Sequence, residues 1–319
     1  MKYTKEDLKT MQNWSLERKI QVTQTRIIEW YQHYNGLVYI SFSGGKDSTV
    51  LLDLARRIYP DIEAVFVDTG LEYPEIREFV KSKENVTWLK PEMNFRKVLE
   101  KYGYPIGSKH IAEVIEAYKR GVHWVKGYIP EECGGNWIGR DGKTKTSRYT
   151  VSKKWMKVGE RIKISPKCCK IMKEKPLHDY QRKINKNPII GVMAGESVRR
   201  ETAWLKTGCN AFDTKRPMSK PMSFWTQQDV LRYLKEFNIP YASVYGEIKQ
   251  DENGKYYTTG CNRTGCIFCG FGCHLEKEPN RFQRLKQTHP KLWEYCMRDW
   301  DKGGLGMKRV LEYIGVKYE

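Results

Sequence analysis

The segment Ser43-Gly44-Gly45-Lys46-Asp47-Ser48 lies between an apolar run at 37–42 and a helical pattern, and its residue types suit phosphate binding. The two glycines let the backbone turn with positive φ and let amide N–H groups approach phosphate oxygens. The helix that follows adds free N–H groups and the positive end of its dipole. Lys46 would neutralise phosphate charge, the two serine hydroxyls would donate hydrogen bonds, and Asp47 would favour the helix dipole or hold a metal ion. The segment predicts a phosphate-binding loop, and the alternative is an ordinary glycine-rich turn.

Nine cysteines form the second group that could do chemistry. Cys261, Cys266, Cys269 and Cys273 follow the spacing Cys-x4-Cys-x2-Cys-x3-Cys, and Cys168-Cys169 is an adjacent pair. A disulfide framework is not expected, because the number is odd and the N-terminus has no apolar signal segment. Thiolates this close can converge on zinc or on a [4Fe–4S] cluster, and unliganded thiols are the third alternative. The remaining three are expected to be isolated thiols: Cys133, Cys209 and Cys296.

Short apolar runs alternate with amphipathic patterns of helical period along most of the chain. Such alternation predicts an α/β fold with a doubly wound, mostly parallel sheet. The predicted strands are 37–42, 64–68, 86–89 and 189–192. The predicted helices are 48–58, 74–82 and 226–237, the last of them capped by Thr226.

The pattern divides the chain into three regions. Residues 1–35 form an N-terminal helical region, 36–245 form the nucleotide-binding α/β domain, and 246–319 form a cysteine-rich, helical C-terminal region. A long basic insertion at about 103–187 interrupts the α/β domain. Hairpins are predicted at Asp141-Gly142 and Asn253-Gly254.

The chain carries 57 Lys and Arg residues against 38 Asp and Glu residues, a formal charge of +19. This excess indicates attraction to polyanions, and the basic insertion is interleaved with Tyr149, Trp155 and Tyr180, as in surfaces that bind nucleic acid. The alternative is a solvated basic surface that maintains solubility. No apolar run approaches the roughly 20 residues that span a bilayer, so a soluble cytoplasmic protein without a membrane partner is expected.

Four ordered segments resemble a known family. The segment 43–48 resembles the PP-loop of the ATP pyrophosphatases, the adenine-nucleotide α-hydrolases. The segment 67–75, Val-Asp-Thr-Gly-Leu-Glu-Tyr-Pro-Glu, resembles the second motif of the phosphoadenosine-phosphosulfate (PAPS) reductase branch. The segment 191–200 resembles the third motif, with Met193 where the family usually has an arginine, and 223–230 resembles a further segment.

This resemblance implies an adenine nucleotide, with Mg²⁺, bound across the carboxyl ends of the strands. The nucleotide-binding residues that it implies are Ser41, Ser43, Gly44, Gly45, Lys46, Asp47, Ser48, Asp68, Thr69, Gly70, Glu196, Ser197 and Arg200. Of these, Lys46 and Asp47 are expected to act in catalysis, together with Cys273 as a sulfur carrier.

The cysteine pair and the later Cys-x2-Cys resemble the cluster motif of iron–sulfur sulfonucleotide reductases and of related PP-loop sulfurtransferases. The implied ligands of a [4Fe–4S] cluster are Cys168, Cys169, Cys266 and Cys269, with Cys261 or Cys273 as substitutes, and zinc is the alternative metal. The segment Arg263-Thr264-Gly265 fits the sulfurtransferase version.

Three functions are compatible with these features. The first is an ATP-dependent, adenylating sulfurtransferase acting on DNA or tRNA, with a sulfur donor or thiol-reductant protein as partner and a homodimer as one possible assembly. The second is an APS or PAPS reductase. Such reductases use a cysteine in a C-terminal Glu-Cys-Gly-Leu-His motif, and no cysteine follows Cys296 here. The third is a non-enzymatic sensor that binds nucleotide, cluster and nucleic acid.

Overall fold

A computed structural model of the chain describes residues 1–135, 147 and 149–319. Its helices are α1 Lys5–Gln12, α2 Leu16–His33, α3 Lys46–Arg56, α4 Pro74–Lys81, α5 Phe95–Tyr102, α6 Lys109–Lys119, α7 Lys153–Arg161, α8 Lys167–Cys169, α9 Lys175–Ile184, α10 Val198–Thr207, α11 Gln227–Glu236, α12 Arg281–Thr288, α13 Pro290–Met297 and α14 Met307–Ile314. Its strands are β1 Val38–Ser41, β2 Ala64–Val67, β3 Val86–Leu89, β4 Ile106–Gly107, β5 Asn187–Ile190, β6 Asn210–Ala211, β7 Met218–Ser219, β8 Ile248–Gln250, β9 Tyr256–Thr258 and β10 Gly270–Phe271.

The central sheet has six strands in the order β3-β2-β1-β5-β7-β6. Neighbouring strands are parallel except β6 and β7, which pair antiparallel at the edge. The predicted fold class, a mostly parallel α/β sheet, is therefore confirmed. The chain runs outward from β1 through β2 to β3 and then returns to the other side of β1 as β5. The carboxyl ends of β1 and β5 thus flank a topological switch point, which is where open α/β sheets bind ligands.

Two compact units divide the chain. The first comprises Met1–Asp68, Glu72–Lys90 and Pro176–Thr264, and it contains the six-stranded sheet. The second comprises Thr69–Leu71, Pro91–Lys175 and Gly265–Glu319, so it unites most of the predicted insertion with the cysteine-rich C-terminal segment. This grouping follows from contacts in space, which a linear reading of the chain does not give.

Most of the predicted elements appear within two residues of their predicted bounds. The hairpin at Asn253-Gly254 is formed by β8 and β9, with Gly254 at a φ of +73°. The hairpin predicted at Asp141-Gly142 lies outside the described residues. Phe237, the last residue of the predicted helix 226–237, follows the final residue of α11 and is 41% exposed. None of the helices within the described ranges is long and apolar enough to cross a membrane.

A buried ion pair fixes helices α2 and α11 in the first unit. The Lys19 ammonium, on a residue only 1% exposed, lies 2.6 Å from the Asp229 carboxylate and donates to the carbonyl of Gln12 at 2.7 Å. The same carboxylate accepts from Thr226, the cap of α11. One carboxylate therefore neutralises a buried charge and starts a helix.

We expect Asp229→Asn to lower the free energy of unfolding by about 3 kcal/mol, because it leaves the Lys19 charge buried and unpaired. Chemical denaturation measures this loss. A Lys19→Met/Asp229→Asn double variant should recover most of it. The matched control is Glu236→Gln in the exposed Arg232–Glu236 pair of the same helix, which should cost less than about 1 kcal/mol. Equal losses of stability in Asp229→Asn and Glu236→Gln would contradict the stabilising role of the buried ion pair.

Candidate functional site

The backbone of the phosphate loop requires glycine at its first turn. Gly44 has a φ of +70°, and a Cβ there would lie 2.8 Å from methyl groups of both Ile76 and Val80 on α4. Side chains other than hydrogen would meet both a strained conformation and a collision. Gly44 therefore lets the loop after β1 pack closely against α4.

Helix α3 begins at Lys46, two residues earlier than predicted, so Lys46 and Asp47 belong to its first turn. Its cap, Gly45, supplies no side-chain hydrogen bond. The Ser48 hydroxyl donates to the Gly45 carbonyl at 2.9 Å and accepts the Ser43 N–H at 3.2 Å, which holds the loop in shape. The first-turn N–H groups of a helix capped in this way suit an anion.

The Lys46 side chain is held in the protein by neutral groups. The residue is 6% exposed, and its ammonium donates to the Asn262 carbonyl at 2.7 Å and lies 5.0 Å from the centre of the Tyr245 ring. Burial lowers the pKa of Lys46, the Asp47 charge opposes this shift, and Arg263 reinforces it. No ion pair joins Lys46 to a carboxylate within the described ranges, so its charge is open to an anionic ligand.

Asp47 is a half-buried carboxylate beside this lysine. Burial raises its pKa, and the positive charges of Lys46, Arg263 and Arg200 partly offset the rise. Among the residues that the structure describes, no donor hydrogen-bonds to this carboxylate. A carboxylate in this position is a suitable ligand for Mg²⁺, which binds through one or two carboxylates and substrate phosphates.

The third predicted motif approaches the loop from the end of β5. A Cβ on Gly191 would lie 3.0 Å from the Asp47 carbonyl, so the two segments are in close contact. Glu196 forms ion pairs with Arg200 and, at 3.0 Å, with Arg263. Ser197 caps α10 by accepting the Arg200 N–H at 3.3 Å. Glu196 thus holds two guanidinium groups, those of Arg200 and Arg263, whose charges act on Asp47.

Two predicted positions in the second and third motifs have structural partners. Met193, where the family has an arginine, is buried at 4% exposure and contributes its backbone N–H to Glu196. Asp68, at the end of β2, is 7% exposed and forms an ion pair with Arg77 at 2.8 Å.

The remaining predicted nucleotide-binding residues lie at the ends of strands β1 and β2. Ser41 is the last residue of β1. Thr69 and Gly70 fall in the second unit, where the Thr69 hydroxyl accepts the Leu71 N–H.

Sequence reasoning missed the segment that closes over the loop. Tyr245 hydrogen-bonds to Thr264 at 2.6 Å, and burial raises its pKa to about 12. Asn262 supplies the carbonyl that holds Lys46, and the Cys261 charge raises the pKa of that lysine. The contacts of Asn262 and Tyr245 with Lys46 join positions about 200 residues apart, and no local pattern signals them.

We expect removal of the Asp47 charge to raise the stability of the protein and to weaken its binding of nucleotide. Because burial raises the pKa of Asp47, the folded state holds a proton that the unfolded chain releases. Stability therefore falls as pH rises from the pKa of the unfolded chain through that of the folded state. Asp47→Asn should therefore raise the melting temperature of the unliganded protein at neutral pH, less so in acidic buffer, and should weaken Mg²⁺-dependent nucleotide binding. Thermal denaturation across pH measures the first effect and isothermal titration the second.

The matched control is Asp53→Asn in the same helix. The Asp53 carboxylate accepts hydrogen bonds from Arg57 and Tyr233, so this variant should lower the melting temperature. A lower melting temperature for Asp47→Asn as well would show that Asp47 has a stabilising partner.

In the second unit, Cys168 and Cys169 are adjacent at α8 and share a hydrogen bond. This bond raises the pKa of Cys168 and lowers that of Cys169, and the nearby Lys109 lowers the latter further. Lys109 is the first residue of α6, and only the cap Ser108 separates it from the short strand β4. Because β4 pairs with β10, the same strand pair positions this lysine and the segment that follows Cys269.

The Cys-x2-Cys segment lies beside the pair. Charges at Cys266 and Cys269 act on Cys168, so these thiols share one environment. Burial raises the pKa of Cys269 and raises that of Cys273 to about 11. Arg281 opposes both shifts, and its guanidinium donates to the Cys269 carbonyl at 2.7 Å.

The structure separates the two predicted substitutes. Cys273 is grouped with the four predicted ligands in the second unit, and Cys261 lies in the first unit near Lys46. Across the described ranges, no three His, Cys, Asp or Glu side chains are placed to hold one metal ion. Zinc requires four ligands at about 2.0–2.3 Å. A [4Fe–4S] cluster requires a wider arrangement, because each thiolate binds a different iron atom.

Comparison with known proteins places the chain in a family. The family model of the phosphoadenosine phosphosulfate reductase domain matches residues 37–110 and 139–270, more than half of the sequence. The chain therefore belongs to this family of nucleotide-binding proteins, as the ordered motifs predicted.

Curated relatives are distant. A protein of Methanocaldococcus jannaschii, named only as uncharacterised, is 25% identical over 291 residues, which are 87% of this chain and 51% of the relative. A second from the same organism is 24% identical, with 83% of this chain and 41% of the relative covered. This chain thus spans about half or less of their lengths. The adenosine 5'-phosphosulfate reductase of Staphylococcus epidermidis is 23% identical over 74% of this chain and 73% of its own length.

Solved structures resemble the chain weakly. A PAPS reductase from Candida auris in a phosphate complex has a TM-score of 0.40 at 12% identity, covering 80% of this chain and 98% of its own. The FMN adenylyltransferase of Candida glabrata has a TM-score of 0.39 at 13% identity, covering 75% of this chain and 64% of its own. Likeness at this level supports no inference about the reaction.

Proposed function

We propose that this chain is an ATP-dependent, adenylating iron–sulfur sulfurtransferase that acts on nucleic acid. The observation that carries the proposal is the Lys46 ammonium, which is buried at the start of α3 beside a glycine cap and paired with a carbonyl rather than a carboxylate. A triphosphate supplies the missing negative charge. Arg200 and Arg263 add two more cations in the same unit.

The loop residues would orient ATP for cleavage between its α and β phosphates. An oxygen of the acceptor attacks the α phosphorus, the bond to the β phosphate breaks, and pyrophosphate leaves. Lys46 and the first-turn N–H groups would stabilise the charge that develops on the leaving group. Asp47 would hold Mg²⁺, which neutralises phosphate charge. A sulfur nucleophile at the oxidation level of sulfide then displaces AMP, as a carbon–sulfur bond replaces the carbon–oxygen bond.

The second unit supports the sulfur chemistry of this proposal. Its donor set of four neighbouring thiols, with Lys109 and Arg281 as nearby cations, fits a [4Fe–4S] cluster held by Cys168, Cys169, Cys266 and Cys269. When bound, such a cluster would supply the sulfur- or electron-transfer chemistry of the family. Cys273, the predicted sulfur carrier, is 2% exposed, whereas Cys261 is more accessible and lies beside Lys46. This placement favours Cys261 as the sulfur-handling thiol of the nucleotide site.

Net charge favours a nucleic-acid acceptor over a small molecule. The formal charge of +19 produces a field that attracts polyanions, and the resulting affinity depends strongly on salt. The second candidate is an adenosine 5'-phosphosulfate reductase, favoured by the name of the Staphylococcus epidermidis relative. The same loop would bind the sulfonucleotide, so the two functions differ in substrate rather than in fold.

We expect anaerobically purified protein to convert α-labelled ATP to AMP and pyrophosphate, faster with bulk tRNA or DNA. Lys46→Ala should reduce this rate at least 100-fold, because it removes the cation that meets the phosphates. The control is Lys81→Ala, an exposed lysine paired with Glu78 in the same unit, which should retain the rate. Intact ATP together with sulfite release from adenylyl sulfate and a thiol would establish the reductase instead.

The cluster assignment predicts iron in the purified protein. Cys266→Ala should lose bound iron and the absorption near 400 nm, because it removes one thiolate ligand. Cys133→Ser, a cysteine of the same unit outside the group, should retain both. Iron content that is unchanged in Cys266→Ala, or zinc in place of iron, would refute this ligand set.

A further inference from the structure

A cavity of about 710 Å³ lies in the second unit, and no cysteine lines it. Helix α7 ends in its wall at Arg161, and α14 contributes Arg309. Three aromatic side chains also line the cavity: Tyr104, Trp300 and Tyr313. Its volume falls within the range of pockets that bind small molecules.

Although Asp299 and Asp301 line the same cavity, neither forms an ion pair with the two guanidinium groups among the described residues. Neither Arg161 nor Arg309 forms an ion pair or a hydrogen bond with another residue in the described ranges. The Arg161 guanidinium lies 5.8 Å from the centre of the Tyr313 ring. Burial raises the pKa of Tyr104, and the Arg309 charge partly offsets the rise. By contrast, Arg281 and Arg298 in the same unit are paired with glutamates. Two unpaired guanidinium groups in one cavity suit a phosphate.

The rings of the cavity are held in place. The Tyr104 hydroxyl donates to the Leu305 carbonyl at 2.8 Å. Trp300 is contacted by Arg96, whose guanidinium lies 4.7 Å from the ring centre and donates to the Trp300 carbonyl at 2.6 Å. Tyr313 is 39% exposed. Fixed and partly accessible aromatic faces are the platforms on which nucleic-acid bases stack.

The acidic residues of the wall add a preference among bases. Asp299 lies 3.5 Å from the Lys302 ammonium, and Asp301 is exposed without an ion pair in the described ranges. A carboxylate accepts hydrogen bonds from the exocyclic amino groups of cytosine, adenine and guanine. Thymine has no such group, so a base with an amino group is preferred.

We propose that this cavity binds one nucleotide of a single-stranded nucleic acid, with its phosphate on Arg161 and Arg309 and its base against the aromatic rings. The inference rests on the proposed function for its choice of a polymer over a free nucleotide. The proposed substrate class is single-stranded nucleic acid. The cavity shares no residue with the phosphate loop, so the cavity assignment and the proposed function can fail separately.

Fluorescence anisotropy measures binding of labelled single strands of twelve nucleotides, composed only of dA, dC or dT, across a series of salt concentrations. Arg161→Ala/Arg309→Ala should weaken binding of dA and dC at least tenfold and reduce the salt slope by about 0.7, because the contact with one phosphate is lost. Tyr313→Ala should weaken binding about tenfold with an unchanged salt slope, since it removes stacking alone. The wild type should bind dT less tightly than dC.

The matched control is Lys291→Ala/Lys308→Ala, which makes the same change of charge outside the cavity. Equal weakening by both double variants would show that only net charge matters, and would overturn the proposal. Binding of AMP but of no strand would also overturn it. Lys46→Ala should bind strands like the wild type. Strand binding by a protein that cleaves no ATP would refute the proposed function and leave the cavity assignment intact.

Discussion

The arrangement around the phosphate loop depends on the burial of the Lys46 ammonium, which pairs with no carboxylate among the residues that the structure describes. An ammonium removed from water is costly unless it is compensated, and Lys46 receives a carbonyl, an aromatic face and the opposing charge of Asp47. This arrangement is tolerated because a tight loop, a glycine cap and the 261–264 segment over-determine its position. A site kept in this condition is pre-organised for phosphate, at some expense in stability, as is common for functional sites.

The switch point of the sheet explains why two separate motifs meet. The phosphate loop follows β1 and the Gly191 segment follows β5, and these strands are neighbours although about 150 residues separate them. Parallel neighbours end at the same edge, so side chains after each strand converge there. The clustered thiols are placed differently. They come from α8 and from the loop before β10, and both segments belong to the second unit.

Local patterns predicted the elements that bury continuous apolar surface. Strand β1 and helix α3 were recognisable because their residues are uniformly apolar or of helical period. Strands β6 and β7 were missed because each has two residues, too few for any period. The early start of α3 was missed because Gly45, rather than a serine or aspartate, precedes it, and glycine is a weak signal for a cap.

The sequence by itself determined the family and the strand, loop and helix around 43–48, because those depend on residue types at short spacing. Tertiary structure decided which distant groups accompany them. It brought Asn262 and Tyr245 to Lys46 and assigned Cys261 to the unit of the phosphate loop. It also placed Arg161 and Arg309 around one cavity, where neither forms an ion pair with a described residue. Charge compensation and burial are properties of the folded surroundings, and no local pattern of residues encodes them.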